Sequence, residues 1–332
     1  KTTTLRALAG FEDITEGQIK LFGNVVSTSD LNVPPERRGI GFVFQSYAVW
    51  PHMTARENIL YALKNQEYQK DRREDRVQEA LSLVGLAGGN VEDRYPSELS
   101  GGQQQRVAFA RAISYEPKLL LMDEPLSNLD FQLRKRMRQS ILDILDEIKV
   151  TTVYVTHDQE EAFEISDDIC VMKDGEKMQQ GGPESLYESP SSPFVANFIG
   201  EANVFNAEIS SKTKTSATAV ITKGAQKLEM VCRHEGKTDL KNPVIVIRPE
   251  RIYIESVSKA GKGSRYDKTS QTNQYSGKIT HKIFRGASVY YDVLVGGGTT
   301  VQVRTSQSKL EAGQNVKVTI AKQDALIVQG AT

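Results

Sequence analysis

Residues 118–125 read Lys-Leu-Leu-Leu-Met-Asp-Glu-Pro, a short apolar run that ends in two carboxylates. Such runs are typical of parallel strands that are buried on both faces of a sheet. Similar runs at Gly39–Phe44, Thr151–Thr156 and Asp168–Lys173 alternate with helix-like segments. This alternation predicts an α/β fold with a mostly parallel sheet.

Between these strands lie sequence signals for helix starts. Thr54 is followed three residues later by Glu57, and Ser100 by Gln103, and both pairs match the capping-box pattern. The charged stretch over residues 66–86 is helical in pattern and has no strand within it. We interpret it as a helical insertion rather than as part of the sheet.

The character of the sequence changes after Pro183. Short helices are predicted near 184–187 and 194–199, and short runs rich in Val, Ile, Thr and Tyr then follow. Residues 289–303 predict a hairpin with its turn at 296–298, and residues 259–274 a polar loop. We predict a small β-barrel of the oligonucleotide/oligosaccharide-binding type over 202–332.

Length, charge and composition limit the kinds of protein that this chain can be. The 332 residues suffice for two domains, and Lys+Arg and Asp+Glu both total 42, so the formal net charge is zero. This balance argues against a nucleic-acid partner, which clustered basic charge would favour. No apolar run reaches the roughly 20 residues that span a bilayer, so any membrane association is expected to occur through another protein. Cys170 and Cys232 lie far apart in strand-like runs and are predicted to be buried, reduced thiols.

The carboxylates of Asp123 and Glu124 need a physical reason at the end of a buried strand, because uncompensated buried charge is costly. A solvated strand end is one interpretation. The other is a Mg²⁺ site in which Asp123 holds the metal and Glu124 acts as general base on a water molecule.

Two further segments suit phosphate binding. The chain begins Lys1-Thr2-Thr3 at the start of a predicted helix that ends near Gly10, and Leu99–Gln103 (Leu-Ser-Gly-Gly-Gln) starts another. Helix N-termini favour anions, and glycines let a phosphate approach the backbone closely. Each segment alone is also consistent with an ordinary helix start.

Taken together, these motifs resemble those of the ATP-binding cassette (ABC) family. Gln45 looks like the family's Q-loop glutamine, Ser127–Asp130 (Ser-Asn-Leu-Asp) like its D-loop, and His157 like its switch histidine. Residues 45–54 and 194–204, together with the Ile-Arg-Pro-Glu at 247–250, resemble segments of bacterial importer ATPases with a C-terminal TOBE domain.

The resemblance implies a P-loop NTPase cassette with a helical subdomain, followed by an all-β, OB-like TOBE domain. The boundaries it implies are 1–182 for the cassette, about 46–99 for the helical subdomain, 183–201 for linker helices and 202–332 for the β-domain. The implied cofactors are ATP and Mg²⁺. The implied catalytic residues are Glu124, His157, Gln45 and Lys1. The implied nucleotide-binding residues are Lys1, Thr2, Thr3, Gln45, Ser100, Gly101, Gly102, Gln103, Asp123, Asp130 and His157, and the implied metal-binding residues are Thr2, Gln45 and Asp123.

The resemblance also implies partners and a location. We expect a homodimer that sandwiches two ATP molecules, two transmembrane permease subunits and, indirectly, a solute-binding protein, at the cytoplasmic face of the inner membrane. The expected solute is ferric iron or a polyamine, otherwise phosphonate, sulfate or sugar. The alternatives are a DNA-repair or chromosome-type ABC ATPase and a regulatory subunit that does not turn over nucleotide. In the family, a glycine-rich turn precedes the lysine, so we expect the chain that starts at Lys1 to be a fragment with little or no ATPase activity.

Overall fold

The computed structural model describes residues 1–88, 90–234, 242–257, 271–306 and 309–330. The chain forms two compact units, Lys1–Asp167 and Asp168–Thr332. This division lies before residue 182, where the sequence places the end of the cassette. The finer division into cassette, linker helices and barrel stays a prediction.

The first unit alternates helices and strands. Its helices are α1 (Thr2–Ala9), α2 (Ala55–Asn65), α3 (Arg73–Leu83), α4 (Gly101–Ile113), α5 (Phe131–Ile148) and α6 (Gln159–Ile165). Its strands are β1 (Ile19–Leu21), β2 (Asn24–Ser27), β3 (Ile40–Val43), β4 (Leu119–Asp123) and β5 (Thr151–Val155). In the part of the chain that is described, no helix is both long enough and apolar enough to cross a bilayer.

Three of the predicted strands form the parallel sheet, in the order β3-β4-β5. Every residue of β4 is buried. Leu120 and Met122 pack into the core beneath α2, α3 and α4, whereas Leu119 and Leu121 pack into a second core with Leu5 of α1. The sheet is therefore covered on both faces, which confirms the interpretation of the apolar run.

The helical insertion is also confirmed. Helices α2 and α3 pack against α4, and Ile59, Leu81 and Val107 from these three helices share the first core. Both predicted capping boxes are present, Thr54 with Glu57 at the start of α2 and Ser100 with Gln103 at the start of α4.

The fourth predicted strand does not belong to the parallel sheet, so that assignment was wrong. It forms β6 (Ile169–Lys173), which pairs antiparallel with β7 (Glu176–Gly181) in the second unit. The two residues between them, Asp174 and Gly175, have φ angles of 50° and 85°. An Asp-Gly pair in this conformation closes a tight hairpin, so the chain pairs antiparallel at once. It does not make the longer crossover connection that a parallel strand would need.

The prediction that Cys170 is buried was wrong. Cys170 lies on β6 and is exposed, because side chains alternate between the two faces of a strand and its neighbour Val171 takes the buried position. Cys232, on a strand of the second unit, is buried as predicted.

The second unit continues with two short helices and a set of strands. The helices are α7 (Pro183–Glu188) and α8 (Pro193–Ile199). The strands are β8 (Asn203–Asn206), β9 (Glu208–Lys212), β10 (Ser216–Lys223), β11 (Gln226–Arg233), β12 (Pro243–Ile247), β13 (Ile252–Ser256), β14 (Thr272–Arg285), β15 (Ser288–Val295), β16 (Thr299–Thr305), β17 (Asn315–Ala321) and β18 (Ala325–Gln329).

These strands form a six-stranded sheet in the order β8-β12-β18-β11-β10-β9 and a five-stranded sheet in the order β13-β17-β14-β15-β16. Residues of both sheets, such as Met230 and Tyr291, share one core. The predicted hairpin is present as β15 and β16. Most of the predicted loop lies outside the described residues, and its last residues, Thr272–Gln274, begin β14.

Candidate functional site

The carboxyl ends of β4 and β5 carry two adjacent acidic residues and a histidine. Asp123 ends β4 and is 6% exposed. Glu124 follows with a φ of 45°, an uncommon conformation for a residue with a side chain. Its backbone N–H donates to the carbonyl oxygen of Val155 on β5 at 2.9 Å. The strained residue is therefore fixed to the end of the neighbouring strand.

One carboxylate oxygen of Glu124 has two side-chain partners from distant parts of the sequence. The Nε2 of Gln45, in the loop after β3, donates to Oε2 at 3.3 Å. The Nδ1 of His157, in the loop after β5, lies 3.0 Å from the same oxygen. The Glu124 side chain is 21% exposed and that of His157 is 61% exposed. A carboxylate held by an amide and an imidazole at the rim of a sheet can accept a proton from a water molecule.

The loop after β4 contacts the loop after β3. Gln45 Nε2 also donates to Ser127 Oγ at 3.3 Å, and Asn128 Nδ2 donates to the backbone carbonyl of Gln45 at 3.0 Å. Ser127 Oγ donates to the carbonyl of Glu124 at 2.9 Å. Hydrogen bonds therefore join the Gln45 loop to the backbone at Glu124.

The start of α1 lies at the same edge of the sheet. Thr2 Oγ1 donates to Asp123 Oδ1 at 3.1 Å, and Lys1 Nζ donates to the carbonyl of Thr156 at 2.5 Å. A hydroxyl beside a carboxylate supplies the hard oxygen atoms that Mg²⁺ prefers. Among the described residues no group of three His, Cys, Asp or Glu side chains could hold a metal ion alone. The Thr2 hydroxyl and the Asp123 carboxylate are the oxygen donors here that would suit a Mg²⁺ ion.

We call these six residues the Glu124 cluster: Lys1, Thr2, Gln45, Asp123, Glu124 and His157. Every residue predicted to be catalytic or metal-binding belongs to this cluster. Thr3, predicted to bind nucleotide, is exposed on α1.

The predicted phosphate-binding residues Ser100–Gln103, which we call the Ser100 segment, do not join this cluster. Ser100 Oγ accepts from the Gln103 N–H at 3.3 Å, and Gln103 Oε1 accepts from the Ser100 N–H at 2.9 Å. No hydrogen bond or ion pair within the described part of the chain connects the segment to Glu124. Ser100 and Gly101 are exposed, and Gly102 is buried against Leu133.

Asp130 is also separate from the cluster. It is exposed at the start of α5, where its Oδ1 accepts from the Leu133 N–H at 3.0 Å. Arg134, one turn later, donates to the carbonyl of Leu129 at 3.1 Å and pairs with Asp158 at 3.4 Å. It links the loop before α5 to the loop of His157. No spacing in the sequence singles out this arginine.

A second residue missed from the sequence is Arg111 of α4. It is 7% exposed and donates to the carbonyls of Tyr47 at 3.0 Å and Ala48 at 2.6 Å. Tyr47 and Ala48 have φ angles of 62° and 46°, so the arginine holds a strained stretch just after Gln45. Burial lowers the pKa of Arg111 to about 10. Its guanidinium also lies 4.7 Å from the ring centre of Trp50.

The loop after Gln45 is less exposed than its sequence suggests. Tyr47 is 8% exposed and belongs to the core. Val49 is partly buried against the same core. Trp50 and Met53 are partly exposed, and the Trp50 ring lies 4.5 Å from the ring of Tyr61, which is 40% exposed.

Comparison with known proteins finds two family models. One described as ABC transporter matches residues 1–127, and one described as TOBE domain matches residues 245–328. A "Fe(3+) ions import ATP-binding protein FbpC 1" of Rhizobium meliloti (strain 1021) is 40% identical over 99% of this chain and 87% of that protein. A "Spermidine/putrescine import ATP-binding protein PotA" of Roseobacter denitrificans is 41% identical over 93% of this chain and 80% of that protein. A solved structure, the ATP-binding cassette MJ0796 in a dimeric post-hydrolysis state bound to ADP and phosphate, is 32% identical over 55% of this chain and 79% of that chain, with a TM-score of 0.47.

Proposed function

The chain belongs to the ATP-binding proteins of ABC importers, and we propose that its Glu124 cluster hydrolyses ATP to drive the import of ferric iron. The observation that supports the assignment of the site is the shared carboxylate oxygen of Glu124. The amide of Gln45 and the ring of His157 both reach it, and the Thr2–Asp123 pair lies at the same sheet edge.

Each residue of the cluster has a distinct task in this proposal. Glu124 accepts a proton from the attacking water, and the amide of Gln45 orients that water. Lys1 and His157 donate hydrogen bonds to the terminal phosphate oxygens, where negative charge develops during transfer. Thr2 and Asp123 would hold Mg²⁺, which when bound would neutralise charge on the phosphates.

The Ser100 segment requires a second copy of the chain in this proposal. The N–H groups of Gly101 and Gly102 lie at the start of the 13-residue helix α4, where an anion is favoured. In the described part of the chain, the segment bonds through its own capping box and through the helix backbone, as in the bond from the Gln104 N–H to the Ser100 carbonyl. We infer a homodimer in which each Ser100 segment contacts the nucleotide bound at the Glu124 cluster of the other copy, with Asp130 near the interface.

The loop after Gln45 is the proposed contact with the membrane subunits. Residues 46–63 lead from a nucleotide-sensing glutamine into α2, and the partly exposed Trp50 and Met53 lie beside exposed Tyr61. Apolar groups of this kind suit a short helix of a partner. The proposed partners are the cytoplasmic loops of two permease subunits, which places the protein at the cytoplasmic face of the inner membrane.

The solute does not contact this chain, so its identity rests on the relatives. Two relatives that are 40% and 42% identical to this chain are named as ATP-binding proteins for Fe(3+) import. A polyamine import protein at 41% identity makes polyamine the second candidate. In both cases a solute-binding protein would deliver the solute to the permease.

The test is transport by the complete complex in proteoliposomes. With Mg-ATP inside and the cognate solute-binding protein outside, we expect uptake of radioactive ferric iron and no uptake of spermidine. Uptake of spermidine alone would select the polyamine alternative. ATP binding without turnover in the complex would contradict the hydrolytic assignment and favour a regulatory subunit.

A further inference from the structure

A buried carboxylate outside the Glu124 cluster is bonded to the loop that carries His157. It belongs to Glu161 of α6, which is 2% exposed. Its Oε2 accepts from Tyr154 Oη at 3.0 Å and from Thr156 Oγ1 at 2.8 Å. Thr156 Oγ1 in turn accepts from the backbone N–H of Asp158 at 2.9 Å. The hydroxyl of Thr156 therefore connects the carboxylate to the backbone on the far side of His157.

Two hydroxyl groups stabilise the buried carboxylate of Glu161. A buried charge is costly unless it is hydrogen-bonded, and here two hydroxyl groups donate to one oxygen. Glu161 also lies in the first turn of α6, where the helix dipole favours negative charge. Burial, and after it the neighbouring Glu161, raises the pKa of Tyr154, so this hydroxyl keeps its proton and remains a donor.

The geometry shows why this contact matters for His157. The backbone of Val155 is fixed by its register with Asp123 and by the hydrogen bond from the Glu124 N–H. Thr156 is the one residue between Val155 and His157. The side chain of His157 is 61% exposed, so packing does little to hold its ring. The backbone at Thr156 therefore determines how far the ring lies from Glu124.

Thr156 has a second contact with the cluster. Its carbonyl oxygen accepts from Lys1 Nζ, while its side chain is held by Glu161. A shift of Thr156 would displace both the imidazole of His157 and the partner of the Lys1 amine. One side-chain hydrogen bond thus controls two members of the cluster.

We propose that Glu161 is a positioning residue for the hydrolytic reaction, acting through the hydroxyl of Thr156. This inference rests on the function proposed above. Glu161 bonds to no member of the Glu124 cluster in the described part of the chain, and it supports the backbone from which His157 reaches the reacting atoms. A purely structural Glu161 would stabilise α6 and β5 without affecting turnover beyond the loss of folded protein.

The experiment compares Thr156→Val with Thr156→Ser in the full-length protein. Valine keeps the branched shape and removes the hydroxyl, whereas serine keeps the hydroxyl. We expect Thr156→Val to lower kcat for ATP about tenfold or more with KM within roughly threefold, and Thr156→Ser to restore kcat. Tyr154→Phe is the matched control, because it removes the other donor to the same oxygen and leaves the His157 loop bonded. Its kcat should stay within about threefold.

A second measurement does not depend on turnover. Hydrogen exchange of the Asp158 amide, followed without nucleotide, should be faster by about tenfold in Thr156→Val and little changed in Tyr154→Phe. Unchanged exchange in Thr156→Val would overturn the inference whether or not the protein hydrolyses ATP. Equal kcat in the valine and serine variants, or an equal loss in Tyr154→Phe, would also overturn it. Absence of ATP hydrolysis in the unmodified protein would refute the proposed function instead.

Discussion

The Glu124 cluster and the Ser100 segment lie in the same unit, but they differ in how far apart in sequence their hydrogen-bonded residues lie. The cluster is joined by side-chain contacts between residues far apart in sequence, such as Thr2 with Asp123 and Gln45 with Glu124. The described bonds of the Ser100 segment are local, a capping box between Ser100 and Gln103 and the backbone bonds of α4. The first region is assembled by the fold of one chain. The second is fixed by bonds between neighbouring residues.

Helix α4 physically connects these regions. It begins at the Ser100 segment and carries Arg111, whose guanidinium holds the carbonyls of Tyr47 and Ala48 just beyond Gln45. A displacement of the Ser100 segment would therefore reach the Gln45 loop through one rigid helix. If α4 couples the two regions, variants of the cluster, of the segment and of the loop linked to α4 should differ in how strongly they affect hydrolysis.

The largest effect is expected within the cluster. Glu124→Gln removes the proton acceptor while keeping the shape of the side chain, so turnover should fall about 10²–10⁴-fold with ATP binding retained. Steady-state ATPase assays and equilibrium binding of labelled ATP measure the two quantities. Turnover within about tenfold of the unmodified protein would exclude Glu124 as the general base.

The next effect tests the Ser100 segment. A Cβ added at Gly101 would meet no atom within 4 Å in this chain, and alanine favours a helix over glycine by about 1 kcal/mol. Gly101→Ala should therefore fold at least as stably, yet lower kcat/KM about tenfold or more, because the added methyl separates a phosphate from the backbone.

Gly296→Ala is the matched control for this variant. Its added methyl also avoids a clash, with Leu228 Cδ1 at 3.8 Å, and it lies in the second unit. Thermal unfolding and ATPase assays on both variants make the comparison. Normal activity of Gly101→Ala would argue that no phosphate approaches the Ser100 segment.

A smaller effect on hydrolysis is expected at the loop linked to α4. Trp50→Ala removes a partly exposed ring that contacts Arg111 and Tyr61. We expect the ATPase rate to stay within about threefold, while transport in proteoliposomes is lost because the permease contact is weakened. Phe22→Ala, which removes another half-exposed aromatic ring, should keep both activities. Unchanged transport by Trp50→Ala would argue against docking at this loop.

The smallest effect on hydrolysis is expected in the second unit. Arg248 is 6% exposed and donates to the carbonyls of Ala196, Gly200, Glu201 and Tyr187. Arg248→Ala leaves these acceptors without their donor and should destabilise this unit by about 2 kcal/mol or more. ATP turnover below the unfolding temperature should not change, because the Glu124 cluster lies wholly in the first unit. Calorimetry and ATPase assays check this, and a loss of turnover without unfolding would contradict it.

The sequence by itself determined the local elements and singled out candidate site residues. The apolar run before Asp123 indicated a strand buried on both faces, and the capping boxes at Thr54 and Ser100 marked the starts of α2 and α4. These signals act over a few neighbouring residues, so they can be read without knowing the fold. The roles assigned to the site residues stay predictions.

Only the tertiary structure decided what depends on residues distant in sequence. It paired β6 with β7 instead of adding it to the parallel sheet, exposed Cys170 and buried Tyr47. It also placed Arg111 beneath the Gln45 loop, Arg134 between two loops, and Glu161 against Thr156. Burial and hydrogen bonding at these positions depend on which elements pack together, and that arrangement depends on the combined burial of many side chains rather than on any local pattern.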